Sequence, residues 1–204
     1  MIERPTLIVM AKAPRLGLGK SRLAKQIGSV EAWRINRALQ KLTLHEAIDP
    51  RWRTVLCVTP DNAVALDLPN LWPRHVRRAA QGAGDLGERL ARAMRWKRRV
   101  AVIGVDCPVI SRAHIASAFS ALKRAPFAIG PAEDGGFWLL AARDGASVAR
   151  ALAHVRWSSR YAAADVIRNL APRRVARLAT LWDVDVAADL KRAQRPALRV
   201  SSGV

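Results

Sequence analysis

The chain has 204 residues, half of them hydrophobic, with 35 Lys and Arg against 16 Asp and Glu and a formal net charge of +19. That length suits a single domain over residues 1–204 with a substantial core, and the hydrophobic share excludes a largely disordered chain. No apolar run is long enough to span a bilayer, so a membrane-spanning protein is excluded.

Met1-Ile2-Glu3-Arg4-Pro5 runs straight into an apolar segment and lacks the layout of a signal peptide, so the expected compartment is the cytoplasm. The positive charge favours anionic partners. It is spread over nearly every predicted helix, with only short runs such as Lys97-Arg98-Arg99 and Arg173-Arg174, and there is no basic tail. No specific nucleic-acid partner is therefore expected. Cys57 and Cys107 sit in or beside predicted buried strands, where a thiol behaves as a small hydrophobe. His45, His75, His114 and His154 are too scattered for a zinc site.

The first predicted element is a strand, Thr6 to Ala11, buried on both faces because its apolar residues are consecutive. A loop follows, "AKAPRLGLGKSRL", with Lys12, Arg15, Lys20 and Arg22 around Gly17 and Gly19. Glycines let a backbone approach a ligand closely, and a helix start beside cations favours an anion. The spacing is neither a Walker A loop nor a dinucleotide fingerprint, so composition alone leaves a phosphate loop and an ordinary basic loop equally open. Ile35, Ala38, Leu39 and Leu42 then repeat at helical spacing, and Thr54 to Thr59 reads as a second strand. Asp85-Leu86-Gly87-Glu88 has the form of a capping box at a helix start.

A third strand, Val100 to Val105, ends in Gly104-Val105-Asp106-Cys107-Pro108. A carboxylate at a strand end is a hard ligand for Mg²⁺ or Mn²⁺ on a phosphate, or else a cap for the next turn. Ser111 is the expected N-cap of a helix carrying Ile115, Phe119 and Leu122. Phe127 to Gly130 is a further strand, followed by Pro131-Ala132-Glu133-Asp134-Gly135-Gly136-Phe137-Trp138. That segment suits a hairpin or bent strand, and equally a substrate pocket. An apolar stretch from Val175 to Leu181 leads to Asp183, Asp185 and Asp189. Asp185 is placed to cap the last helix, and one of the three acids could give a second metal ligand. No nucleophile with a base partner can be assembled, so covalent catalysis is not expected.

Alternating strands and helices imply a mostly parallel sheet between helical layers, an α/β architecture with ligands beyond the carboxyl ends of the strands. The motifs "AKAPRLGLGKSRL", "QGAGDLGERL", "GVDCP", "GPAEDGGFWLL", "WSS" and "DVDVAADL" are similar, in order and spacing, to those of bacterial glycosyltransferase or nucleotide-diphospho-sugar transferase-like proteins. That family resembles the small GT-A-fold guanylyltransferases of molybdenum-cofactor and deazaflavin-cofactor synthesis. The resemblance covers Leu7 to Leu190 and implies a GT-A three-layer α/β/α sandwich. It implies a nucleotide site of Ala11, Lys12, Gly19, Lys20, Arg22, Gln81 and Asp106, an acceptor site at Asp134, Gly135 and Gly136, and Mg²⁺ or Mn²⁺ on Asp106 with Asp183 or Asp185. Asp106 and Asp134 are the implied catalytic residues. The late motif continues Val186-Ala187 where the family has Thr-Pro, which removes a hydroxyl and a rigid helix start. The implied partners are a nucleotide or nucleotide-sugar and a small-molecule acceptor. The expected reaction is glycosyl transfer. The alternatives are nucleotidyl transfer from an NTP with release of pyrophosphate and, in another class, a non-catalytic binder of nucleic acid or anionic surfaces.

Overall fold

The structure is a computed structural model, and it describes residues 3–194. Seven strands and seven helices follow one another as β1 (Thr6–Lys12), α1 (Ser21–Ile27), α2 (Ser29–Ala47), β2 (Arg53–Thr59), β3 (Arg77–Ala80), α3 (Leu86–Met94), β4 (Arg98–Ile103), α4 (Arg112–Ala121), β5 (Phe127–Pro131), β6 (Phe137–Asp144), α5 (Val148–Ala151), α6 (Ala162–Leu170), β7 (Val175–Arg177) and α7 (Ala187–Gln194). They form one sheet of order β3-β2-β1-β4-β6-β5-β7. Only β6 runs antiparallel to its neighbours, β4 and β5; the β1–β2, β1–β4, β2–β3 and β5–β7 pairs are parallel.

Side-chain alternation explains why the strands read as unbroken apolar runs. In β1, Leu7 and Val9 join a core on one face of the sheet with Leu56, Ile103 and Phe119. Ile8, between them, joins the opposite core with Val102, Phe127 and Leu140. Helices cover both faces, so each position along a strand is buried in turn. A smaller cluster of Leu23, Ala32, Leu39 and Val184 ties α1 and α2 to the segment before α7.

The expected caps form at two helices. Asp85 accepts from Glu88 N and Glu88 accepts from Asp85 N, both at 2.8 Å, and Ser111 accepts from His114 N. At α7 the capping carboxylate is Asp189, not Asp185; its Oδ2 accepts from the backbone N–H groups of Asp185 and Val186. The apolar stretch expected from Val175 to Leu181 pairs as a strand only to Arg177, and Leu181 makes an isolated bridge to Ala132. In α2 the buried stripe is Ala32, Asn36, Leu39, Gln40, Thr43, Leu44 and Ala47, while Ala38 and Leu42 face solvent. Of the expected stripe, Leu39 is buried and Ile35 packs against the Leu23 cluster, while polar Asn36, Gln40 and Thr43 take the rest of the buried face in place of Ala38 and Leu42.

From β1 the sheet extends to β2 on one side and to β4 on the other. The loops leaving β1 and β4 therefore flank a crevice at the carboxyl ends of the strands, the place where open α/β sheets bind ligands.

Candidate functional site

The loop after β1 turns at Arg15–Leu18, with Leu18 N donating to Arg15 O at 3.1 Å and Gly17 at φ +78°. Gly19 (φ +90°) and Lys20 (φ +49°) then both adopt left-handed backbone, a conformation that costs an L-residue such as lysine on the order of 1–2 kcal/mol. Lys20 N-caps α1 with no side-chain cap, so its side chain turns inward. Its ammonium donates to Val184 O at 2.5 Å and pairs with Asp106 Oδ1 at 2.6 Å and Asp185 Oδ1 at 3.4 Å. Arg22 reaches the other oxygen of Asp185 at 4.0 Å, and its side chain is largely exposed. Val184 N donates to Asp106 O, which joins the loop after β4 to the last acidic segment.

Lys20, Arg22, Asp106 and Asp185 line a cleft of about 340 Å³, which Lys12, Gly19 and the buried side chains of Asn36 and Gln40 also border. Six of the residues expected at the site thus converge: Lys12, Gly19, Lys20, Arg22, Asp106 and Asp185. Ala11 and Gln81 do not line it. Ala11 is a buried strand residue, and Gln81 is buried with Nε2 donating to the carbonyls of Ala11 and Cys57. Gln81 therefore ties β1 to β2, and its amide hydrogens are engaged by backbone. Asn36 and Gln40 were missed. Their one signal in the sequence is a pair of amides one helical turn apart on a face that should be apolar.

The acceptor-side segment forms the turn between β5 and β6. Asp134 Oδ1 accepts from Gly136 N at 2.8 Å, and Gly135 (φ +88°) packs so closely on the Arg160 backbone that a Cβ would lie 2.1 Å from its carbonyl oxygen. Glu133 is bound on both oxygens by Arg192, which holds its carboxyl below the usual range and makes it a poor base. Trp138, expected at the edge of the acceptor pocket, is instead core: it is buried and its indole N–H donates to Ala179 O. Asp183 is half-buried, and burial, with the nearby carboxylates of Asp134 and Asp185, pushes it up to about 6. Burial pushes the Cys107 thiol up as well, so it is no ready nucleophile, and no covalent route opens there.

Among the described residues no three His, Cys, Asp or Glu side chains converge as a metal cage. Mg²⁺ is commonly held by one or two carboxylates, with substrate phosphates and water completing its shell. Asp106 and Asp185, sharing one ammonium, and Asp183, raised by burial and by the charges of Asp134 and Asp185, fit that kind of site.

Residues 36–159 match the family described as uncharacterized proteins conserved in bacteria, DUF2064. The chain belongs to this family. A candidate nucleotide-diphospho-sugar transferase from Desulfovibrio desulfuricans G20 is 27% identical, with a TM-score of 0.86 over 98% of this chain and 90% of that one. The 4-diphosphocytidyl-2C-methyl-D-erythritol synthase of Anaerococcus prevotii is 10% identical, with a TM-score of 0.66 over 97% of both chains. Rv0371c of Mycobacterium tuberculosis in complex with manganese is 18% identical, with a TM-score of 0.51 over 94% of this chain and 98% of that one. The last two share the fold alone. No curated protein matches the chain in sequence. The family member described here thus has the expected nucleotide-diphospho-sugar transferase fold, an α/β/α sandwich on a mostly parallel sheet. Among its described residues no helix is long and apolar enough to cross a membrane.

Proposed function

We propose that the protein is a transferase that holds a nucleotide donor by its diphosphate in the cleft between the β1 and β4 loops, with glycosyl transfer from a nucleotide-diphospho-sugar as the reaction. The observation that carries this reading is the cleft itself: Lys12, Lys20 and Arg22 line the same space of about 340 Å³ as Asp106 and Asp185, with Lys20 paired directly to both carboxylates. Cations alone would suit any anion, and carboxylates alone any cation. Both together suit a phosphate chain bound with a divalent metal.

Lys20 and Arg22 clamp the phosphates and neutralise the charge that builds on the departing nucleotide. Gly19, with no side chain, leaves the loop backbone open to the phosphates. Asp106, with Asp183 or Asp185, would hold Mg²⁺ or Mn²⁺, which when bound polarises the phosphate oxygens. The acceptor would sit against Asp134, Gly135 and Gly136, in the turn between β5 and β6. A carboxyl raised to about 6, as Asp183 is, lies in the range where a proton can be accepted near neutral pH.

Nucleotidyl transfer from an NTP is the second reading. Three cations around one cleft also match the charge of a triphosphate. Thermal shift with nucleoside diphosphate sugars and NTPs, with and without Mn²⁺, tests the binding. A ligand at a hundred times its Kd stabilises the fold by about 2.7 kcal/mol. The expected result is a metal-dependent rise with a sugar nucleotide, lost in Asp106→Asn, and turnover that releases a nucleoside diphosphate. Pyrophosphate release from an NTP would select the second reading, and no rise with any nucleotide would overturn both.

A further inference from the structure

Asn36 and Gln40 stand one turn apart on the buried face of α2, where hydrophobic residues would pack more simply. The fully buried Trp72 indole N–H, which can only donate, bonds to Gln40 Oε1 at 3.0 Å. That fixes the Gln40 amide, whose Nε2 donates to Lys12 O at 2.9 Å and to Asn36 Oδ1 at 3.2 Å. The Asn36 amide is fixed in turn, with its oxygen toward Gln40 and its Nδ2 turned away.

Asn36 is more than nine-tenths buried and lines the cleft. Its Nδ2 has no hydrogen-bond partner among the described residues, and it lies 3.8 Å from where a Cβ on Gly19 would stand. A polar chain running from Trp72 through Gln40 to Asn36 therefore ends in a free donor at the wall of the cleft. The nitrogen opens onto the cleft and is not one of the buried unpaired atoms, which among the described residues are Thr43 Oγ1 and Arg112 Nε, so it is free to donate to whatever the cleft binds, and the ordered network behind it fixes its direction.

We infer that Asn36 is a phosphate-reading residue: its Nδ2 donates to a phosphate oxygen of the bound nucleotide, beside the Gly19 backbone. Only an acceptor atom can bond to Nδ2, because an amide nitrogen is a donor, and the bond from Gln40 to Oδ1 keeps that nitrogen turned to the cleft. The surrounding Lys12, Lys20 and Arg22 make an anionic oxygen the favoured acceptor. The assignment of that oxygen to a nucleotide rests on the function proposed above, and the donor itself rests on the hydrogen-bond chain.

Titration calorimetry with inorganic pyrophosphate and with the nucleotide that gives the largest thermal shift, each with Mn²⁺, tests the inference. In Asn36→Asp the inward oxygen still accepts from Gln40, while the outward one replaces a donor with an anion. Both ligands should bind more than about tenfold more weakly, and the melting temperature without ligand should stay near that of the wild type. Asn36→Ser, smaller and neutral, reads the same loss at a few-fold should the carboxylate prevent folding. A wild type that binds both ligands while the variants bind them as tightly overturns this inference alone. A wild type that binds neither overturns the nucleotide reading and this inference with it.

Discussion

Lys20 Nζ stands 2.6 Å from Asp106 Oδ1, in a side chain only 7% exposed. The pair joins the two loops that flank the switch point of the sheet, and Asp185 shares the same ammonium at 3.4 Å. In this state the lysine supplies the positive charge that a divalent ion would supply to the same carboxylates. On the proposed function, lysine and metal would compete for Asp106 until a phosphate chain takes the ammonium.

Lys20→Met separates the two roles. Without nucleotide, Mn²⁺ should bind the variant more tightly than the wild type, because the competing cation is gone. Nucleotide should bind about tenfold or more weakly, since a charge-assisted hydrogen bond contributes about 1.5–3 kcal/mol. Calorimetric titration of Mn²⁺ and nucleotide separately reads both. Weaker Mn²⁺ binding by the variant would show that lysine and metal do not share a site.

Gly135 and Gly17 both have positive φ, yet they should respond differently to alanine. At Gly17 a Cβ meets nothing within 4 Å, so the loss is the backbone penalty alone, on the order of 1–2 kcal/mol. At Gly135 the same methyl would stand 2.1 Å from the Arg160 carbonyl oxygen, and backbone cannot step aside as a side chain can. Gly135→Ala should therefore cost about 3 kcal/mol or more by urea unfolding, because the loop bearing Asp134 must separate from the loop bearing Arg160. Equal losses at the two positions would show that the contact relaxes freely.

Strands β1, β2, β4 and β5 were legible in the sequence because burial on both faces makes a strand uniformly apolar, as Leu7, Ile8 and Val9 are, whereas β3, Arg77–Ala80, has no fully buried residue and left no apolar run to read. The Asp85 and Ser111 caps were legible because a cap is a local bond between residues three apart. The cleft was legible in part, because unusual residues stand at strand ends. What stayed hidden depends on distant pairings. Asp185 reads as a cap until the fold brings Lys20 to it and leaves the cap to Asp189. Gln81 reads as a ligand group until its two carbonyl partners come from β1 and β2. Glu133 reads as part of a substrate-pocket segment until Arg192 closes on both of its oxygens.

Asp165 is wholly out of contact with solvent, and it accepts from the backbone N–H and the guanidinium of Arg156 and pairs with Arg168 at 3.0 Å. The hydrogen bonds from the Arg156 guanidinium, first among the causes, hold its carboxyl far below the ordinary 3.8. Such a group stabilises the fold fully above its unfolded pKa and loses that contribution as pH falls toward the folded value. Asp165→Asn should lower the melting temperature at pH 7, and it should lose less stability than the wild type between pH 5 and pH 3. Urea unfolding across that range reads the slope. Parallel acid limbs in the two proteins would show that Asp165 does not carry the effect.

Asp183 should act with the opposite sign. Burial, then the charges of Asp134 and Asp185, push it from 3.8 up to about 6. Between those values the folded state binds more protons than the unfolded state, so this carboxyl lowers stability as pH rises from about 4 to 6. Below 3.8 the penalty is absent, and above 6 it is fully present. Asp183→Asn removes the charge and should be more stable than the wild type at pH 7, with the difference vanishing near pH 4. Urea unfolding of both proteins at the two pH values gives that difference. If Asp183 helps hold Mn²⁺, saturating metal should also shrink the pH 7 difference, because the cation supplies the missing counter-charge. A variant less stable than the wild type at pH 7 would mean that the ionised carboxylate has a stabilising partner in the fold.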